Sequence, residues 1–161
     1  MFSKYRNKVI AMRKNMPSGD RRVTLNSATG HAGPLPVITT TLASPIHVVS
    51  TPIDTKGMGN TDNLLTFTSI ISLPLGISVT LNFQIQRVLG GDAPRSIGSN
   101  YTYSTTVNVL ESEVYSFQFK DENVPEGLYT YTVSLSSSSI VDVTPGVTVS
   151  AVLSVLAVAV S

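Results

Sequence analysis

The chain has no cysteine, no tryptophan and two histidines among its 161 residues. Without cysteine, neither a disulfide frame nor a thiolate metal site can form. Charge is scarce as well: Asp, Glu, Lys and Arg make up 13% of the residues, against about 25% in an ordinary soluble domain. A chain so short of charge can solvate little of its surface, so neighbours are expected to cover much of it. Long apolar runs are missing too. Val9-Ile10-Ala11-Met12 falls short of the roughly 7–15 apolar residues of a secretion signal, so no signal peptide is expected. The uncharged tail from Val147 to Ser161 falls short of the about 20 residues of a membrane span. It also carries Thr148, Ser150 and Ser154. A buried strand, apolar on both alternating faces, is the expectation there.

Groups that carry chemistry are few. His31 and His47 sit in a Pro/Thr-rich stretch with no carboxylate close in sequence, and no serine lies in a nucleophile elbow. Glu111 and Glu113 stand two apart and Asp121-Glu122 marks a turn. Such pairs could attract a cation, but solvated strand ends are the simpler reading. Gly57-Met58-Gly59 lacks the strand before and the helix after that a phosphate loop requires, so it reads as a hinge. Asn100-Tyr101-Thr102 matches a glycosylation sequon, a three-residue pattern of little weight. The sequence therefore leads to no catalytic residue, no cofactor and no metal site.

What is present is a marked division of charge. Lys4, Arg6, Lys8, Arg13, Lys14, Arg21 and Arg22 face Asp20 alone, so residues 1–22 carry +6. The remaining residues carry four bases and nine acids, a net −5. A cationic head on an acidic body steers association, either with a phosphate backbone or with another copy of the same chain. Helix propensity is fair from Phe2 to Asn15 and ends at Pro17-Ser18-Gly19-Asp20.

Residues 23–60 are rich in Thr, Ser, Pro and Gly. Pro34, Pro36, Pro45 and Pro52 exclude a helix or an inner strand. Two extended pieces survive, Val37–Leu42 with Val37 and Ile38, and Ile46–Ser50 with Val48 and Val49. The stretch reads as a connector arm able to pair at a sheet edge, in cis or in trans. From residue 61 the pattern is regular. Leu65, Phe67, Ser69 and Ile71 alternate with Thr66 and Thr68. Ile77, Val79, Leu81, Phe83 and Ile85 alternate with five polar residues, the signature of a half-buried strand. Further strands follow around Tyr101–Val109, Tyr115–Phe119 and Tyr129–Leu135, and the apolar tail is the sixth. Asn123-Val124-Pro125-Glu126-Gly127-Leu128-Tyr129 resembles a tyrosine corner. Strands between turn signals, with no convincing helix among them, predict an all-β antiparallel sandwich. The expected organisation is a basic head over 1–22, a connector arm over 23–60 and a β-sandwich over 61–161.

Several strand sequences carry a family resemblance: Leu64-Leu65-Thr66-Phe67, Val79 to Arg87, Tyr115-Ser116-Phe117-Gln118-Phe119 and Val149 to Ala157. In these stretches the chain resembles a β-sandwich domain family of unknown function in spore-forming Firmicutes. Its layout is similar to that of endospore appendage subunits, in which an N-terminal connector precedes a small sandwich. The resemblance implies a jelly-roll or immunoglobulin-like subunit that polymerises into an extracellular fibre through strand augmentation and its N-terminal arm. Those relatives are typically rich in cysteine, so covalent locking does not carry over.

The functional expectation is thus a self-assembling fibre or pilus subunit on a spore or cell surface. Its partner is itself in a helical filament, with a surface protein as anchor and no membrane span. The assembly residues are Lys4, Arg6, Lys8, Arg13, Lys14, Arg21, Arg22, Val37, Ile38, Ile46, Val48 and Val49. The alternative is a small viral coat protein whose basic arm meets nucleic acid, and a third option is a surface adhesion module.

Overall fold

The computed structural model describes residues 22–35, 44–74, 77–107, 110–141 and 146–160, with 77, 107 and 137–141 described through their backbone. Eight strands follow one another: β1 Val23–Ala32, β2 Ile46–Asp54, β3 Thr61–Leu73, β4 Ile77–Leu89, β5 Arg95–Val107, β6 Glu111–Val124, β7 Leu128–Val141 and β8 Thr148–Ala159. They form two antiparallel four-stranded sheets, ordered β1-β8-β3-β6 and β2-β7-β4-β5. Every connection crosses from one sheet to the other except β4–β5, a hairpin in which Arg87 pairs with Arg95. This is the strand order of a jelly roll, which settles the choice left open between jelly-roll and immunoglobulin-like sandwiches.

Alternation builds the core. Along β3, Leu65, Phe67, Ile71 and Leu73 are buried, while Leu64, Thr68 and Ile70 face out. Across from them β4 contributes Val79, Leu81, Phe83 and Ile85, and β7 contributes Tyr129, Tyr131, Val133 and Leu135. Each large apolar side chain buried in this way contributes about 1.5–3 kcal/mol. The tyrosine corner is present: the Tyr129 hydroxyl donates to the Pro125 carbonyl at 2.8 Å, pinning the turn before β7.

The connector-arm reading of 23–60 is corrected. β1 pairs with β8 along its full length, and β2 pairs with β7. Val48 and Val49 are each 1% exposed and Ile46 packs against the core. The sandwich thus begins at residue 23 rather than 61, and its strands number eight among the described residues rather than six. Pro52 is tolerated because β2 is an edge strand. A bulge between His47 and Val49 turns two successive valines inward. His31 and His47 lie in these strands, exposed, against the hydroxyls of Ser150 and Ser50. Gly30 is required where β1 meets β2, because a Cβ there would stand 2.0 Å from the Val48 carbonyl oxygen.

The C-terminal strand also differs from expectation. Val149, Ala151, Leu153, Val155 and Ala157 are buried. The other face is open: Val152 is 42% exposed and Ser150 is exposed. One face is core, and the opposite face is sheet surface.

Candidate assembly surfaces

Register places the outward side chains in rows across the β1-β8-β3-β6 sheet. One row runs Leu25–Leu156–Leu64–Lys120, another Ser27–Ser154–Thr66–Gln118, and a third His31–Ser150–Ile70–Val114. Leu25, Ile70 and Val114 are each more than half exposed. Between the second and third rows lies Thr29–Val152–Thr68–Ser116, so exposed apolar side chains are interspersed with polar ones, and the charge is confined to one corner. There Lys120 holds Asp62 and Glu122, each at 2.9 Å. The hydrogen bond from Lys120, aided by the Asn123 N–H, holds the Asp62 carboxyl below its ordinary range.

The opposite face is different. Its outward side chains include Ser78, Thr80, Asn82, Gln84 and Gln86 of β4, flanked by Thr102, Ser104 and Thr106 of β5 and Thr132 and Ser134 of β7. Hydroxyls pair across strands, Ser78 with Thr106 at 3.1 Å and Thr80 with Ser104 at 3.0 Å. Thr102 donates to the Asn82 amide oxygen at 2.8 Å.

Four strands are sheet edges, and they are guarded unequally. β6 carries Glu111, Glu113, Lys120, Asp121 and Glu122; β2 carries Pro52, a bulge and Asp54. Charge, proline and bulges are the usual devices that stop an edge from pairing with another chain. β1 has no Asp, Glu, Lys or Arg and no bulge; β5 has no such charge after Arg95 but is interrupted at residues 98–100, where a bulge opposite Gln84 sets Gly98 at φ 69°. Each has a single neighbour, β8 or β4. β1 and the uncharged part of β5 lie in different sheets on opposite sides of the sandwich.

The side between β5 and β6 is filled with rings. Tyr101 stacks on Phe117 with centroids 3.9 Å apart and planes 6° apart, and Phe117 stacks on Phe67 at 4.8 Å. At the end of the sandwich where β1 begins, a polar chain runs inward. Arg87 binds Asp121 at 2.6 Å, Tyr131 donates to Asp121, and the Asn63 amide donates to Tyr131 at 2.7 Å. These partners lie far apart in sequence, and no local pattern announced them. Among the described residues no group of three His, Cys, Asp or Glu converges as a metal site.

Of the assembly residues expected from sequence, Lys4, Arg6, Lys8, Arg13, Lys14, Arg21, Val37 and Ile38 lie outside the described residues. Arg22 is exposed and donates to the Gly57 carbonyl at 2.6 Å. Ile46, Val48 and Val49 serve the chain's own sandwich.

A family model described as a domain of unknown function, DUF4489, matches residues 22–160. The chain belongs to the DUF4489 family. The DUF4489 match begins where β1 begins, in accord with two early strands being integral to the domain. No protein of curated function matches this DUF4489 chain in sequence. Among solved structures it is similar to a chain of infectious bursal disease virus Gx strain, with TM-score 0.46, 11% identity and 85% of this chain covered. It is also similar to a chain of the Gt strain of the same virus (TM-score 0.43, 10% identity, 87% covered). A third similarity is to a human norovirus GI.7 Houston strain virus-like particle (TM-score 0.36, 12% identity, 81% covered). The DUF4489 chain spans 32%, 38% and 30% of the length of those three chains. Among the described residues no helix is long and apolar enough to cross a membrane.

Proposed function

We propose that this DUF4489 chain is a structural subunit that polymerises with itself into an extracellular fibre on a spore or cell surface. Copies add strands at open sheet edges and are tied by the basic residues before β1. The observation that carries this reading is a pair of uncharged edge segments, β1 and the stretch of β5 from Tyr101 to Val107 beyond its bulge, one in each sheet and on opposite sides. An uncharged, regular edge is a template for pairing with another chain. Contacts between unlike surfaces build open filaments unless the rotation closes a ring. Low charge throughout supports the same reading, as do the exposed Leu25, Ile70 and Val114 on one outer face. Because 46–50 is committed to β2, the linking segment is narrowed to residues 1–22 and the stretch 36–43 between β1 and β2.

Negative-stain microscopy of the purified chain, with and without nuclease, tests the proposal. Regular filaments that survive nuclease are expected. Closed shells, or assemblies that nuclease dissolves, would replace the fibre with a coat protein around nucleic acid.

A further inference from the structure

The body's bases are gathered at one end, where Asp54, Asp62, Asp92, Asp121, Glu122 and Glu126 lie as well. Lys56, Arg87, Arg95 and Lys120, the four bases after Arg22, all lie toward the end where β1 begins. At the opposite end β6 starts with Glu111 and Glu113, and neither carboxylate has an ion-pair partner among the described residues. Both occupy the inward-facing register of β6, at the mouth between β5 and β6. There the Thr105 hydroxyl donates to Glu113 at 3.3 Å. Tyr103, 7% exposed, lies beside Glu113, and its hydroxyl has no hydrogen-bond partner among the described residues. Burial first, and then the Glu113 carboxylate, push the Tyr103 hydroxyl upward in pKa. Next to the mouth is a concavity with Leu73, Pro74 and Leu110 in its wall and Glu111 at its rim. Leu110 is 80% exposed, and nearby Val114 is 71% exposed.

The site thus offers two carboxylates and an apolar shelf, with the buried, unpartnered Tyr103 oxygen behind Glu113. Lys and Arg side chains are donors only, and a guanidinium can hold a carboxylate through two parallel bonds. Residues 1–21 carry six such side chains, and Val9, Ile10, Met12 and Met16 flank Arg13-Lys14. This segment leaves the sandwich at Arg22, at the other end and on the β1 side. To reach its own Glu111 it must run back along a strand length of about 43 Å and cross the sandwich as well. In a head-to-tail stack it emerges directly against the next copy.

We infer that the Glu111/Glu113 mouth is the socket for residues 1–21 of a second copy, with Arg13-Lys14 on the carboxylates and the flanking apolar residues on the shelf of Pro74 and Leu110. This rests on the fibre reading and adds to it a direction: each copy inserts its basic segment into the far end of the next.

Zero-length carbodiimide cross-linking of the full chain, mixed from ¹⁴N and ¹⁵N preparations, tests the socket. Cross-links from Lys14 to Glu111 or Glu113 are expected, with about half of the pairs isotopically mixed. Pairs that are all of one isotope would place the segment on its own chain and overturn the inference, as would the absence of links to either glutamate. In parallel, Arg13→Glu/Lys14→Glu, which lies outside the sandwich, should slow assembly at least tenfold. Adding Glu111→Lys/Glu113→Lys to the same chain should restore the rate. If Glu111→Lys/Glu113→Lys alone, or the milder Glu111→Gln/Glu113→Gln, assembles at the parental rate, the socket is wrong and the fibre stands. If the parent forms no filaments, the fibre reading falls, while the cross-links still decide the socket.

Discussion

Tyr131 donates its phenol hydrogen to Asp121 across 2.8 Å, and the same carboxylate oxygen accepts Arg87 at 2.6 Å. Tyr131 is fully buried and on its other side accepts the Asn63 amide at 2.7 Å. One hydroxyl therefore satisfies a donor from β3 and an acceptor from β6, tying the two sheets at one end. Tyr131→Phe keeps the ring and leaves the Asn63 amide unpartnered. It is expected to cost about 1–3 kcal/mol, measured by urea unfolding. An unchanged midpoint would show that another donor and acceptor replace the hydroxyl without loss.

Alkaline pH should unfold the domain. Burial raises the pKa of Tyr101, Tyr103, Tyr115, Tyr129 and Tyr131 above the ordinary value of 10. A raised phenol binds its proton more tightly folded than unfolded. Its contribution is therefore fully present below about pH 10 and is lost as pH rises through the folded value. Each retained proton steepens the loss by about 1.4 kcal/mol per pH unit. Absorbance of tyrosinate at 295 nm and sheet circular dichroism should change together above pH 10. Ionisation of these five at their ordinary value with the sheet intact would contradict the burial.

Neighbouring positions on β8 should respond oppositely to charge. Leu153 is fully buried and Val152 is 42% exposed. Leu153→Asp strands a carboxylate in the core, a penalty of several kcal/mol against a total stability of about 5–15 kcal/mol, and should abolish folding. Val152→Asp should change the melting temperature by a few degrees at most. Equal tolerance at both sites would mean the strand's faces are assigned wrongly.

Truncation separates the sandwich from its basic extension. A chain starting at Arg22 should keep the parental melting temperature and lose ordered assembly. One starting at Thr61 loses β1, β2 and the buried Val48, Val49 and Ile53, and uncovers the edges of β7 and β8. It should aggregate without a cooperative transition. A cooperative melt from that shorter chain would restore the boundary near residue 60 that proline and threonine content alone suggests.

The inner strands were legible because both of their neighbours force a period of two. Five apolar residues from Ile77 to Ile85 alternate without a break, and Tyr129 announced its own corner. The early strands hid for identifiable reasons. β1 turns small residues such as Ala28, Gly30 and Ala32 toward its partner sheet, so no hydrophobic rhythm marks it. In β2 the bulge places Val48 and Val49 on the same side, and Pro52 argues for a loop. The division of charge between head and body was visible along the chain. The gathering of the body's four bases at one end was not, because Arg87 and Lys120 are brought to the end where β1 begins by strand direction alone.

Gly30 gives the sandwich a spine. On its side the backbones of β1 and β2 touch, the Asn26 amide donates to the Pro52 carbonyl at 2.8 Å, and Thr51 donates to the Leu153 carbonyl at 3.0 Å. On the far side, stacked rings hold the sheets apart and few polar links join them, among them Tyr115 to the Thr102 carbonyl at 3.2 Å. The cross-section is a wedge, thin at the spine and wide at the rings. Such a wedge is expected to open, like covers from a binding, on its aromatic side first, so amide exchange at β5 and β6 should outpace that at β1 and β2.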